Sequence, residues 1–236
     1  MGKVATRDGE SLVGFTTESS CAILTYDDGP DHNETTRILS ALSEKGAKAT
    51  FFVLVRDLTC SISLLREILD EGNEIGLHGD THRRLPSVTA RELEHEIRDS
   101  RHLLEDVLGE SVRWFRPPYG SQNIRTWRSV CDAGMFPVLW EIECRDWEDR
   151  PFSEYLQPIR DHRENGAIIA LHDGFAGDPR KRPKILNRRR LTEEIIGLLQ
   201  DKGMDTLAIG AADILPDCSR RTRIWLDRVD SPDEVS

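Results

Sequence analysis

Residues 21–54 read CAILTYDDGPDHNETTRILSALSEKGAKATFFVL. The stretch opens with a short β-branched and apolar run, Cys21–Tyr26, and closes with another, Ala49–Leu54. Between them a helix opens near Asp31, with Glu34 three residues on, and carries Ile38, Leu39 and Leu42 on one face. It stops at Gly46, the residue type that tolerates the left-handed conformation at a helix end. Strand, helix and strand in this order specify two parallel strands joined by a crossover helix.

The same alternation recurs along the chain. Candidate strands are Glu74–Leu77, Val112–Phe115, Phe136–Ile142, Ala167–Leu171 and Asp205–Ile209. One intervening helix shows the stripe Leu93, Ile97, Leu104, Val107 and Leu108, opened by a Thr89/Glu92 capping box. Gly72, Gly134 and Gly203 mark further helix ends. Seven strands alternating with helices are expected to form an α/β fold, a closed or nearly closed β/α barrel. The expected organisation is an N-terminal extension over 1–18, one domain over 19–215, and a polar tail over 216–236. That tail, with its lone Ile224-Trp225-Leu226 patch, is expected to lie on the surface or fray.

Composition bounds the rest. The 236 residues are 38% hydrophobic and 31% charged with mean hydropathy −0.48, enough apolar content for a core and too much for a disordered chain. The longest apolar run, Ala167–Leu171, is far short of a membrane span. No apolar stretch near the N-terminus reads as a secretory signal, so a cytoplasmic location is the expectation, a trimmed secreted chain being the alternative. Gly2 and Thr6 match the myristoylation pattern, which is too short to carry weight. A net charge of −10 and pI near 5.2 argue against a general nucleic-acid binder. Cys21, Cys60, Cys131, Cys144 and Cys218 form no CxxC pair, so neither a zinc ribbon nor a disulfide framework is implied.

Chemistry-bearing residues gather where a barrel places its active site, at the C-terminal ends of strands. Asp27 and Asp28 end the first strand, His78 the third with His82 four on, and Arg116 the fourth. Asp146 lies just past the fifth, and His172-Asp173 ends the sixth. Two adjacent carboxylates need a compensating cation to remain ionised together, although a bare Asp-Asp-Gly-Pro is as often an exposed turn or helix cap. A His-x-x-x-His pair alone is more often two surface histidines, and Gly79 and the missing Glu separate it from the metalloprotease helix. Two histidines with a carboxylate from another strand make a facial set for a zinc-like ion with open positions.

Five segments in order carry a resemblance. Thr25-Tyr26-Asp27-Asp28-Gly29-Pro30, His78–His82, Phe115-Arg116-Pro117-Pro118-Tyr119-Gly120, Glu143-Cys144-Arg145-Asp146-Trp147 and Ile169-Ala170-Leu171-His172-Asp173 match the five motifs of the NodB-homology polysaccharide deacetylases. This is family 4 of the carbohydrate esterases, and the chain resembles it over roughly residues 19–215. The resemblance implies a distorted (β/α)7 barrel and metal-dependent hydrolysis of an N-acetyl group on an amino sugar. Position by position, it implies that Asp28, His78 and His82 bind a divalent metal, zinc first among the candidates. It also implies that Asp27 is the general base, held by Arg116, and that His172 is the general acid, stabilised by Asp146. Tyr119 would offer a backbone N–H to the oxyanion, and Trp147 would wall the sugar groove.

Amide hydrolysis independently calls for these parts: a nucleophile, oxyanion stabilisation, and an acid for the departing amine. Two positions depart from the family pattern. Gly79 stands where many members carry Ser or Thr, and Glu143 stands where the fourth motif usually opens with Asp. His32, His95, His102 and His162 read as exposed helix or turn histidines. Between Arg180 and Arg190 the chain places Arg180, Lys181, Arg182, Lys184, Arg188, Arg189 and Arg190. The bland reading is a solvated loop paired with the protein's own acidic surface. The sharper one is that Arg188, Arg189 and Arg190 clamp an anionic acetylated amino-sugar substrate.

Three other readings compete. A cyclic imide or ureide amidohydrolase would share the fold and the metal, and Gly79 is compatible with it. A non-heme iron oxygenase would use the same His/His/Asp set, but the βαβα rhythm argues against its usual scaffold. A carbohydrate-binding pseudoenzyme would have no use for Asp27, Arg116 and His172 together.

Overall fold

A computed structural model describes residues 7–56, 58, 61–176 and 186–227. The chain opens with β1 (Glu10–Thr16) and β2 (Cys21–Asp27), then α1 (Glu34–Lys45), β3 (Thr50–Val53), α2 (Ile62–Asp70) and β4 (Glu74–Leu77). A long helical segment follows, α3 (Ala90–Glu94) and α4 (Ser100–Leu108) with a π-helical turn at His95–Asp99 between them. Next come β5 (Trp114–Phe115), α5 (Ile124–Asp132), β6 (Phe136–Pro137), β7 (Ile142–Glu143), α6 (Phe152–Asp161) and β8 (Ile168–His172). The last elements are α7 (Arg188–Asp201), β9 (Asp205–Leu207), α8 (Ile209–Asp213) and β10 (Ser219–Ile224).

Eight strands make one parallel sheet in the order β6-β5-β4-β3-β2-β8-β7, with β9 beside the start of β2. The two ends of that order are neighbours in sequence. Four residues, 138–141, join β6 to β7, and they reach at most ~14 Å. Their backbone bonds go in turn to Phe115 on β5, Leu12 on β1 and Ile168 on β8. The sheet is therefore rolled into a distorted (β/α)7 barrel, closed by a stretch that crosses from one edge to the other. This is why the expected strand Phe136–Ile142 is split.

Strand alternation assigns the faces. Ala22, Leu24 and Tyr26 of β2 pack outward with Ile38, Leu39 and Leu42 of α1, while Ile23 joins a second, inner cluster. Phe52, Trp114 and Ile168 are in that inner cluster, together with Leu12 and Phe15 of β1 and Ile209 and Ala212 of α8. The same parity continues upward to the strand ends. Asp27 follows Ile23 and Thr25, Arg116 follows Trp114, and His172 follows Ile168 and Ala170. The barrel interior is thus apolar low down and ionisable at its C-terminal rim.

Residues on both sides of the expected 19–215 domain pack onto it. Leu12 and Phe15, within the expected 1–18 extension, are wholly buried. β1 pairs antiparallel with β10, from the expected 216–236 tail. Gln122, also fully buried, donates to Ser11 Oγ and to the Trp225 carbonyl, both at 2.7 Å. The tail is held because its alternating residues satisfy an otherwise open strand edge. Residues 228–236, Gly2 and Thr6, Cys60, and Arg180, Lys181, Arg182 and Lys184 lie outside the described residues. Among those described, Cys21, Cys131, Cys144 and Cys218 are free thiols, and no helix is long and apolar enough to cross a membrane.

Candidate active site

The turn after β2 starts the site. Asp27 is buried, and Asp28 turns away from the strand with a φ of 76°. Gly29 is required there by close approach, because a Cβ would lie 2.1 Å from Asp173 Oδ2. Asp173 accepts from the Gly29 N–H at 3.1 Å and from the Thr35 hydroxyl at 2.5 Å, tying the turn to the first turn of α1. Burial pushes the Asp173 carboxyl up to about 7, offset in part by the Thr35 hydrogen bond.

His78 and His82 converge on Asp28. Their Nε2 atoms stand 3.4 and 3.0 Å from Asp28 Oδ1, and the three residues' candidate ligand atoms lie within 4.8 Å of one another. His78 Nδ1 is 2.7 Å from the Arg116 carbonyl, which can only accept, so Nδ1 donates there and Nε2 is the nitrogen turned toward Asp28. Asp28 Oδ1 is buried without a hydrogen-bond donor, as expected of an oxygen reserved for a metal. Burial raises the Asp28 carboxyl, but His78, His82 and the nearby His172 hold it well below the carboxylate range. The donor set, two imidazoles and one carboxylate, fits a divalent ion with open positions.

Two buried ion pairs flank this set. Arg116, wholly buried, donates from Nη1 to Asp27 Oδ1 at 2.8 Å and to Thr25 Oγ1 at 2.7 Å, and from Nη2 to the Leu139 carbonyl at 3.0 Å. Its guanidinium also lies 4.2 Å from the centre of the Phe52 ring. Asp146 accepts from His172 Nδ1 at 2.7 Å and from the His172 N–H at 3.0 Å, and Arg188 donates to its Oδ2. Burial alone would lower the His172 pKa, but Asp146, with Asp28 and Asp27 behind it, pushes it up to about 9.

Asp27, Asp28, His78, His82, His172 and Arg188 line one cavity of about 440 Å³, with Arg116 and Asp146 buried behind them. Tyr119, left-handed at φ 62°, rests its ring edge-on at 4.4 Å from His82, and Trp147 packs edge-on at 5.0 Å from His172. Arg188 lines the cavity; Arg189 and Arg190 do not. Arg189 pairs with Glu44 and Glu193, and Arg190 lies over the Phe152 ring and near Glu194. Of the three arginines expected to clamp the substrate, the helical turn thus places Arg188 at the cavity and Arg189 and Arg190 away from it. Sequence reasoning missed Arg84 and Trp140, which also line the cavity. Arg84 lies two residues past His82, a signal that was available, whereas Trp140 reaches the site only because 138–141 crosses the barrel.

Residues 15–138 match a model of the family described as Polysaccharide deacetylase. The chain belongs to the polysaccharide deacetylase family. A chitooligosaccharide deacetylase of Azorhizobium caulinodans is 34% identical over 165 residues, covering 70% of this chain and 79% of that protein. The peptidoglycan-N-acetylmuramic acid deacetylase PdaC of Bacillus subtilis is 30% identical over 79% of this chain, which spans 37% of that longer protein. Among solved structures, a family 4 carbohydrate esterase from Streptomyces lividans in complex with acetate superposes with a TM-score of 0.70 at 25% identity. That match covers 81% of this chain and 93% of the esterase. Within the polysaccharide deacetylase family, then, the paired histidines and Asp28 sit in a shared barrel at the end expected for catalysis.

Proposed function

We propose that the chain is a divalent-metal-dependent hydrolase that removes an N-acetyl group from an amino sugar. The observation that carries the reading is a single cavity holding three elements. These are the Asp28/His78/His82 set, an Arg116-held aspartate, and an Asp146-held histidine with its pKa pushed to about 9. The names of the relatives, deacetylases of chitooligosaccharide and peptidoglycan, support the substrate class.

Asp28, His78 and His82 would hold the metal, zinc being our choice from the His/His/carboxylate donors. When bound, such an ion acidifies water to a pKa near ~7 and polarises an amide carbonyl. Asp27 is built to take the proton of the attacking water. Arg116 occupies its Oδ1 and leaves Oδ2 for the incoming proton. The Tyr119 backbone N–H is assigned to the developing oxyanion. His172, charged and oriented by Asp146, gives the proton from Nε2 to the amine nitrogen as the C–N bond breaks. A new C–O bond replaces it, and the products are acetate and the free amino sugar. Trp147, exposed at the rim, offers an apolar wall to the sugar face.

An anionic substituent on the sugar is the finer part of this reading. Arg84 lines the cavity with its guanidinium 4.6 Å from the Tyr119 ring centre and no ion-pair partner among the described residues. Arg188 is engaged with Asp146, so Arg84 is the cation available to a carboxylate or phosphate.

The test is acetate release from acetylated chitooligosaccharides and N-acetylmuramic acid-containing oligomers, with and without chelator. Acetate that disappears with chelator and returns with added zinc is the expected result. Turnover of a cyclic imide with no acetate from any sugar would replace the proposal by the amidohydrolase reading.

A further inference from the structure

We infer that Glu96 is the positioning residue of the histidine loop, the buried carboxylate that keeps His78 and His82 aimed at one ion. The inference rests on the metal-site reading above. Glu96 lies in the π-helical turn His95–Asp99, which inserts an extra residue into the helix and shifts the side chains that follow it. His95, its neighbour, faces solvent, whereas Glu96 is only 2% exposed.

Its acceptors are spent on the residues between the two histidines. Oε2 accepts the Asp80 N–H at 2.7 Å and the Thr81 N–H at 3.2 Å, and Oε1 accepts the Thr81 hydroxyl. Glu96 has no ion-pair partner among the described residues, so these donors are what satisfy a buried carboxylate. The loop needs such a tether. Gly79 has φ 89° and His82 φ 56°, and the left-handed value at His82, a residue with a side chain, persists only where neighbours enforce it. The Gly79 carbonyl accepts from the Val55 N–H at 3.1 Å, which anchors the near end only. Glu96 anchors the far end, where His82 leaves.

Gly79 and Glu96 also fit each other sterically. A Cβ on Gly79 would sit 3.0 Å from Glu96 Oε2, closer than such contacts ordinarily run. The departure at residue 79 therefore makes room for a carboxylate brought from a helix further along the chain. The loop is held from outside itself.

The experiment measures zinc affinity by competition with a chromophoric chelator, and thermal melting with and without zinc. It compares the wild type, Glu96→Gln, Glu96→Ala, and the exposed control Glu94→Ala. Loss of an outer partner of metal ligands typically weakens the metal about 10–100-fold, and that is expected for Glu96→Ala. Glu96→Gln, with one accepting oxygen in place of two, should fall between it and wild type, and Glu94→Ala should match wild type. The rise in Tm on adding zinc should shrink in the same order. A zinc Kd in Glu96→Ala unchanged within about twofold, with only the metal-free Tm lowered, would make Glu96 merely structural and overturn the inference. If Glu96→Ala does not fold, wild-type affinity in Glu96→Gln overturns it. A wild type that binds no zinc overturns the metal reading itself, a different failure.

Discussion

Arg116 and Arg188 are both buried, each against an aspartate, and in the proposed mechanism each aspartate serves one of the two proton-handling positions. The pairs differ in what the aspartate has left to offer. Arg116 occupies one oxygen of Asp27, and Asp27 itself lines the cavity. Asp146 is saturated, with the His172 imidazole on Oδ1 and the His172 backbone N–H and Arg188 on Oδ2, and does not line the cavity. In the proposed mechanism the same ion pair thus makes a base in one place and the support of an acid in the other. Access to substrate decides which.

The largest effect should come from Asp27. Asp27→Asn keeps the shape and removes the proton acceptor, so kcat should fall about 10²–10⁴-fold, the usual contribution of a positioned base. Bound zinc, measured by elemental analysis, should be unchanged. Near-normal turnover in Asp27→Asn would erase the distinction between the two pairs.

Asp146→Asn should act through His172 instead. The carboxylate that offsets burial is lost, so the alkaline limb of the kcat/KM profile should move from about 9 to lower pH. The sign for stability follows from the same shift. A histidine raised from 6.5 to about 9 contributes stability that is fully present below pH 6.5 and is lost as pH rises through 9. Melting of the wild type should therefore decline across that window, and the decline should flatten in Asp146→Asn. An unmoved alkaline limb would remove His172 from the acid role.

Arg188→Met tests the outer member of that relay. Asp146 keeps His172 as a partner, so the loss should be less than the ~3–5 kcal/mol of breaking a buried pair outright. Denaturant midpoints measure it, and Arg116→Met should be the more destabilised of the two. The smallest effect belongs to Arg84→Ala. Losing one charge-assisted contact should raise KM about tenfold for an anionic acetylated sugar and leave a neutral one alone, more at low salt than at high. An equal change for both sugars would mean that Arg84 only props Tyr119.

Much of this was legible in the chain. The six single strands of the repeating unit fall within a few residues of their expected places, because apolar runs bounded by glycines leave little choice of element. Asp27, Asp28, His78, Arg116 and His172 could be placed on one rim because strand parity and strand direction are local properties. The Glu10–Thr16 and Ser219–Ile224 strands were not legible, since their pairing joins the two ends of the chain and β10 is too polar to announce itself. Arg188 was singled out as a cation for substrate, but its position beside Asp146 depends on how α7 docks.

By itself, then, the sequence determined the βα rhythm, the barrel, and which residue types stand at the strand ends. Periodicity and motif spacing act over a few residues, and those are the distances a sequence displays. Only the tertiary structure decided which partner each charged group meets. Asp27 met Arg116, Asp146 met both His172 and Arg188, and the histidine loop met Glu96 on a displaced helical turn. Those pairings join residues far apart in the chain, and burial makes them specific, because a charge removed from water must find its counterpart or its donors.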